Sequence, residues 1–83
     1  MLAVEPPELR IVVAENIRTL AAAKAMSLNA LADFAGVSRA QLYSVLAETA
    51  APTTDWLAKV ALVLEVEPSR LLAAPSTSRQ KAR

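Results

Sequence analysis

The fold of this chain is decided by residues 27–46, which read SLNALADFAGVSRAQLYSVL. The stretch predicts two short helices joined by a turn, with Gly36, the only glycine among 83 residues, at the join. Glycine is favoured at such a turn because it adopts left-handed backbone angles without a Cβ penalty. Val37 is then placed to enter the core, and Ser38 to cap the second helix.

The second of these helices, predicted from Ser38 to about Ala47, has one apolar and one outward face. Its apolar residues recur at the i, i+3, i+4 spacing of a helix, and Gln41 completes a Ser-x-x-Gln capping box. The apolar face consists of Leu42, Val45 and Leu46, and the outward face of Ala40, Tyr43, Ser44 and Ala47, with Arg39 near the exposed start. This layout is typical of a helix-turn-helix unit.

The composition indicates one small globular domain. The chain is 54% hydrophobic but only 4% aromatic, so the core must be built from Leu, Val, Ile and Ala. It contains no cysteine, which excludes disulfides and thiolate chemistry and fits a reducing cytosol. No apolar run approaches the roughly 20 residues that span a bilayer, and no signal peptide is visible, so no membrane partner is expected.

The remaining chain also has helical rather than strand periodicity, which predicts an all-α, five-helix bundle. Residues 1–6 are a lead-in, residues 7–74 the domain and residues 75–83 a disordered basic tail. The first helix is predicted from Pro7 to about Ala25, the second from after Ser27 to Ala35, the fourth after Thr53 or Thr54, and a last short one from Pro68.

The predicted core lies along the apolar stripes of these helices. The first helix contributes Leu9, Val13, Ile17 and Leu20, the second Leu31, Ala32 and Ala35, the fourth Leu57, Val60, Ala61 and Leu64, and either Leu71 or Leu72 closes the core.

These segments resemble the Cro/repressor (XRE) helix-turn-helix superfamily. The resemblance rests on ENIRTL, SLNALADFAGVSRAQL and the pattern P-x-x-x-x-L-x-K-V-A-x-x-L-x-V-x-P-S-x-L-L, and it covers about residues 15–72. A shorter segment, SRAQLYSVLAETAAPT, also resembles the addiction-module antidote proteins. The resemblance implies the phage-repressor type of DNA-binding domain in a cytoplasmic, nucleoid-associated bacterial or phage regulator. Such a regulator acts as a homodimer and lays its third helix in the major groove of double-stranded DNA.

The resemblance also assigns candidate DNA contacts. Arg39 is the residue most able to specify a base, through a bidentate contact with guanine. The full candidate set is Ser38, Arg39, Ala40, Gln41, Tyr43 and Ser44. Ser38 is first a helix cap, and Tyr43 has two open interpretations, a phosphate contact or a ring packed beside Leu46 or Ala47.

The chain departs from the superfamily pattern in ways that concern DNA affinity. Leu28 stands where many members have a phosphate-binding Gln, and the loop after the third helix offers Glu48 instead of a basic side chain. A late helix-1 Arg and its helix-3 Glu partner are replaced by Ala21 and Leu46, a coherent change because both members become apolar together.

The charge distribution also argues against a strong non-specific attraction to DNA. The net charge of +1 includes three of the nine basic residues in the tail, Arg79, Lys81 and Arg83. Residues 1–78 hold six basic against eight acidic residues, a balance of −2. Attraction to DNA must therefore come from local placement, from Lys24 and from the tail.

Two other residue groups have both structural and functional interpretations. Trp56, the only tryptophan, either covers the edge of the core or anchors a dimer interface together with Val63, Leu71 and Leu72. The tail is either a solvated run or a DNA-binding arm.

Three classes of function follow from the sequence. The leading one is a sequence-specific DNA-binding regulator that acts as a repressor, with an autoregulating antitoxin that binds a toxin protein as its variant. The second is a protein-interaction module that has lost DNA binding. An enzyme is disfavoured, because the chain has no histidine, no cysteine and no carboxylate cluster with ligand spacing, and neither a metal nor a cofactor is expected.

Overall fold

The computed structural model describes residues 6–73, and over that range the chain forms five α-helices and no strand. In chain order the helices are α1 (Pro6–Ala23), α2 (Leu28–Ala35), α3 (Arg39–Leu46), α4 (Thr54–Leu64) and α5 (Pro68–Leu72). The all-α, five-helix prediction is confirmed. The predicted tail, residues 75–83, lies outside the described residues, as does the lead-in apart from Pro6, which begins α1.

Three helices begin at the caps that the sequence predicts. The side-chain oxygens of Ser27, Ser38 and Thr53 accept hydrogen bonds from the backbone N–H three residues later, at 3.0 to 3.1 Å. Each bond satisfies an N–H that would have no partner within its own helix. Thr53, rather than Thr54, is therefore the cap of α4.

The apolar stripes pack into one core, with two differences from prediction at α1. Val13 and Ile17 are buried as expected, but Leu9 is 37% exposed because the first turns of α1 border an open groove. The helix also ends at Ala23, before the predicted Ala25. Ala25 is left-handed (φ 55°), and the next N–H turns back to the carbonyl of Ala21 at 2.9 Å.

Asn16 is the one buried polar residue in the described part of the chain. Its amide nitrogen lies 2.8 Å from the carbonyl oxygens of Leu71 and Ala73 and 3.3 Å from that of Arg70. The amide has two N–H groups for these three carbonyls at the end of α5, of which that of Arg70 also accepts the backbone N–H of Ala73 at 3.4 Å. A buried side chain of α1 thus ties down the last helix, and the hydrophobic pattern gave no sign of it.

The packing order of the helices leaves α3 at the surface. Helix α1 packs on α3 and α5, α4 packs on α2 and α5, and α3 packs chiefly on α1 and α2. The inward residues of α4 and the closing residue Leu71 are all buried, as predicted. Because α3 has neighbours on one side only, its other side is available to a partner.

Candidate nucleic-acid interface

The outward side of α3 carries most of the predicted contact residues. Leu42, Val45 and Leu46 are buried at 3% exposure or less and fix the rotation of the helix. With that face inward, the other residues turn toward solvent: Ser38, Arg39, Ala40, Gln41 and Tyr43 are exposed and Ser44 is half-buried. The structure thus brings the six predicted residues onto one surface. Their contact with DNA stays a prediction.

The turn before α3 has the predicted left-handed glycine. Gly36 has φ 73° and ψ 29°, and the N–H of Val37 bonds to the carbonyl of Ala32 at 3.1 Å. A Cβ placed on Gly36 would meet nothing within 4 Å. Backbone conformation, and not close packing, is therefore what favours glycine here.

Two side-chain pairs, which we call the ladder, join α2 to α3 across their exposed edge. Arg39 donates from Nε to Oδ1 of Asp33 at 3.1 Å and from Nη2 to Oδ2 at 2.7 Å. The hydroxyl of Tyr43 donates to Oδ1 of Asn29 at 2.8 Å. The two ladder residues are four apart on each helix, and the earlier residue of α2 pairs with the later residue of α3. Each helix therefore contributes one edge of the ladder.

Both α2 members of the ladder, Asn29 and Asp33, are absent from the contact residues predicted from the sequence. A signal was present, since Asn29 and Asp33 share one helix face, as do Arg39 and Tyr43. Periodicity alone does not say which faces of two helices meet. The ladder adds a partner that neither interpretation of Tyr43 included, because its hydroxyl donates to Asn29, and a phosphate contact of Tyr43 stays a prediction.

The charge state of the ladder follows from its geometry. Hydrogen bonding by Arg39 lowers the pKa of the Asp33 carboxyl, and the same bonds raise the pKa of the guanidinium. Both side chains remain more than half exposed, at 54% and 56%. A pair this exposed contributes little to stability, so its main physical effect is to orient Arg39.

The region around α3 offers little positive charge. Lys24 forms a 2.8 Å ion pair with Glu65, and its expected attraction to DNA stays a prediction. The loop after α3 presents an exposed Glu48 with φ 67°, and the hydroxyl of Thr49 donates to the carbonyl of Ser44 at 3.1 Å, closing the helix. These positions confirm that the loop lacks a basic side chain.

The two departures from the superfamily inside the fold are explained by packing. Ala21 and Leu46 are buried at 1% and 3% exposure, so the apolar pair lies in the core. Leu28 is partly buried against that core, while its neighbour Asn29 places an amide at the surface of α2.

The predicted dimer interface is wrong for two of its four residues. Trp56 is only 4% exposed and Leu71 is fully buried, because both lie in the core of the single chain. The indole N–H of Trp56 is buried and has no acceptor among the described residues. Val63 is half-buried and Leu72 is 41% exposed, and their part in a dimer stays a prediction.

Two further apolar side chains are exposed and were not predicted as functional. Phe34 on α2 is 72% exposed and Leu62 on α4 is 79% exposed. Both lie off the buried stripes of their helices, so a helical wheel would have found them. Within residues 6–73 there is no group of metal-ligating side chains, and none of those helices is long and apolar enough to cross a membrane.

An all-α bundle that presents one capped helix beyond a tight turn defines a helix-turn-helix DNA-binding domain. Residues 16–75 match the model of the Cro/C1-type HTH DNA-binding domain, which is most of the chain. The protein belongs to this family and is a DNA-binding transcriptional regulator. The XRE-type resemblance found in the sequence is confirmed.

Solved structures of similar proteins agree. The hypothetical transcription factor NHTF from Neisseria matches with a TM-score of 0.81 and 26% identity, over 100% of this chain and 95% of that one. The HTH_3 family transcriptional regulator from Vibrio cholerae matches with a TM-score of 0.75 and 28% identity, over 81% of this chain and 38% of that one. The restriction-modification controller protein C.AhdI from Aeromonas hydrophila matches with a TM-score of 0.71 and 26% identity, over 75% of this chain and 94% of that one. Comparison with curated protein sequences finds no significant match.

Proposed function

We propose that this regulator is a cytoplasmic repressor that binds an inverted repeat as a homodimer, with α3 of each protomer in the major groove. The observation that carries the proposal is the exposed face of α3, which holds Arg39, Ala40, Gln41 and Tyr43 on a helix fixed by its buried side. In this docking geometry the residues at the start of the second helix meet base edges.

The side chains of this face have different roles in the proposal. Arg39 reads guanine, because its planar fork matches the O6 and N7 acceptors in the major groove. Ala40 contacts a thymine methyl, and Ser44 lies one turn further along the same face. Gln41 holds a flanking phosphate, while Ser38 remains chiefly a cap. Tyr43, whose hydroxyl donates to Asn29, orients that amide toward the same phosphate backbone.

Asn29 replaces the missing phosphate donor at the start of α2. Its Oδ1 accepts the hydroxyl of Tyr43, which leaves both N–H groups of the amide to donate outward. A neutral amide holds a phosphate without releasing a counterion. We therefore expect DNA affinity to fall less steeply with salt than it does for a regulator with lysines at these places.

Selection from random DNA with a mobility shift at low salt tests the base-reading role. We expect one sequence to be enriched, and Arg39→Ala to weaken its binding by about tenfold or more, the value of one bidentate base contact. Lys59→Ala is the matched control, because it removes an equal charge from an exposed position on α4, a helix that carries none of the proposed base contacts. No enrichment, or equal loss in both variants, contradicts the proposal.

The second protomer is proposed to dock at the end of α5. Leu72 lines a shallow groove of about 170 Å³ with Leu9, Val13 and Leu57, and the groove is apolar enough to take the same leucine from a second copy. A symmetric pair must be self-complementary in this way, and its half-sites lie about one helical turn apart. Val63 is kept as a flanking contact.

Sedimentation of Leu72→Glu tests the dimer. We expect this variant to be monomeric and Leu62→Glu, the same change at a more exposed leucine on α4, to stay dimeric. A wild type that is monomeric at high concentration, or equal behaviour of the two variants, contradicts this contact.

An antitoxin is the second candidate, favoured by the resemblance of SRAQLYSVLAETAAPT and by the exposed Phe34, an apolar contact that a toxin could use. Co-expression with the product of an adjacent gene should then give a complex that Phe34→Ser weakens. A solitary gene would count against this version.

A further inference from the structure

The ion pair between Asp33 and Arg39 restricts which N–H groups of the arginine are free. A guanidinium has five N–H donors: one on Nε and two on each Nη. Asp33 accepts from Nε at 3.1 Å and from Nη2 at 2.7 Å, along one side of the plane. Three donors remain, two on Nη1 and one on Nη2.

The free donors form the end of the fork. One N–H of Nη1 and the remaining N–H of Nη2 run parallel to each other, away from the carboxylate. Parallel N–H groups from these two nitrogens match the O6 and N7 acceptors that guanine shows in the major groove. The carboxylate thus occupies the side edge of the arginine and leaves the end-on pair of donors free to read guanine with two bonds.

Resting on the base-reading role proposed above, we propose that Asp33 is a positioning residue that makes Arg39 selective for guanine. Asp33 lies on α2, whose end is fixed to α3 through the Gly36 turn, so it holds the guanidinium from a rigid element. A free arginine would sample many rotamers and could turn its side edge to a phosphate. Asp33 occupies that edge.

The same carboxylate carries a cost for affinity. Its negative charge stands on the surface that approaches DNA and is repelled by phosphates. Asp33 therefore lowers binding to any duplex while it raises the preference for guanine at one position. These two effects have opposite signs, and this separates the proposal from simple charge repulsion.

The test measures binding of wild type, Asp33→Ala and Arg39→Ala to the selected sequence and to the same duplex with the G·C pair read by Arg39 changed to A·T. For Asp33→Ala we expect binding to unrelated DNA to rise severalfold while discrimination between the two duplexes falls by about fivefold or more, part of a bidentate contact. Asp55→Ala is the matched control, because it removes an exposed carboxylate at the first turn of α4, on a helix that carries no part of the ladder.

The double variant that combines Asp33→Ala with Arg39→Ala distinguishes a positioning role of Asp33 from a purely structural one. If Asp33 acts through Arg39, Asp33→Ala should cost no further discrimination once Arg39 is alanine. Thermal unfolding confirms that each variant is folded, which we expect because both side chains are more than half exposed.

Each contrary result has a distinct meaning. Unchanged discrimination in Asp33→Ala, with tighter binding to every duplex, reduces Asp33 to a repelling charge and overturns the proposal. Increased discrimination overturns it too, because the carboxylate would then be holding Arg39 away from the base. If Arg39→Ala itself leaves discrimination unchanged, the base-reading role fails first and the positioning role with it.

Discussion

The molecule contains two helix-turn-helix units, α2–α3 and α4–α5, that turn in the same way but end differently. In both, a left-handed residue follows the first helix, Gly36 (φ 73°) in one and Glu65 (φ 62°) in the other. In both, the next valine returns its N–H to a carbonyl five residues earlier, Val37 at 3.1 Å and Val66 at 3.0 Å. The turn geometry is therefore shared, and it does not explain why only one unit presents a helix.

The difference lies in what the second helix packs against. Helix α3 packs on α1 and α2 and keeps one face in solvent, tied at its edge by exposed side chains. Helix α5 lies against α1 and α4, with Leu71 fully buried and its last carbonyls held by buried Asn16. The α2–α3 unit leaves one face of its second helix accessible to a partner, whereas the second helix of the α4–α5 unit closes the core.

Glycine proves to be a minor part of the shared turn. Helices α1 and α3 end in the same way, with Ala25 at φ 55° and Glu48 at φ 67° followed by the same backward bond. Four helices thus use one ending, and only one of them uses glycine. The left-handed residue and the returning N–H define the turn, while glycine lowers the backbone cost.

The largest expected effect comes from removing Asn16, the buried side chain that holds the end of α5. Asn16→Ala leaves carbonyls of α5 without their donor and opens a small cavity, so we expect the free energy of unfolding to fall by about 2–4 kcal/mol. Urea denaturation measures it. The control is Asn29→Ala, which removes an exposed asparagine that bonds to Tyr43 in the α2–α3 unit. We expect it to lower the free energy of unfolding by no more than about 0.5 kcal/mol. Equal losses in the two variants would show that the buried and the exposed asparagine contribute alike to stability.

A smaller effect is expected from exchanging glycine and alanine between two of the shared turns. Gly36→Ala should destabilise by about 1 kcal/mol, since alanine is strained at positive φ and a Cβ there meets no neighbour. Ala25→Gly should stabilise by about 0.5 kcal/mol, because the relief of strain exceeds the added entropy of the unfolded chain. Thermal unfolding of the two single variants gives both signs. Changes of the same sign would mean that backbone strain does not govern these turns.

The smallest expected effect is a dependence on pH from the two exposed ion pairs. Arg39 lowers the pKa of Asp33, and Lys24 lowers that of Glu65, through hydrogen bonds to each carboxylate. A lowered folded-state pKa contributes stability that is fully present above the ordinary carboxyl value near pH ~4 and is lost as the pH falls through the lowered values.

Carboxyl titration by NMR measures these shifts directly. We expect Arg39→Ala to return the pKa of Asp33 toward its ordinary range and to leave that of Glu65 unchanged. A shift of both pKa values, or of neither, would contradict the independence of the two ion pairs.

Much of the fold could be predicted from local chemistry. The caps Ser27, Ser38 and Thr53 and the positive φ at Gly36 depend on neighbours within a few residues, so short-range rules find them. The stripe on α4 was also correct, because a helix buried on one side repeats its apolar residues.

Most errors concern contacts between distant segments. Trp56 and Leu71 were placed in either the core or a dimer interface, because nothing local shows which flanks of α4 and α5 are covered by the same chain. Asn16 was missed because its acceptors lie more than 50 residues away. The candidate site was predicted on α3 but not on α2, for the same reason.

The amino-acid sequence by itself determined that this protein is a helical bundle with a helix-turn-helix unit, and which face of α3 is apolar. Helical period, caps and turn preferences act over one or two turns of chain and can be read directly. Only the tertiary structure decided that Asp33 holds Arg39, that Asn16 holds α5, and that Trp56 is interior. Those outcomes depend on how helices cross, and side-chain pairing across a crossing is set by three-dimensional packing rather than by spacing along the chain.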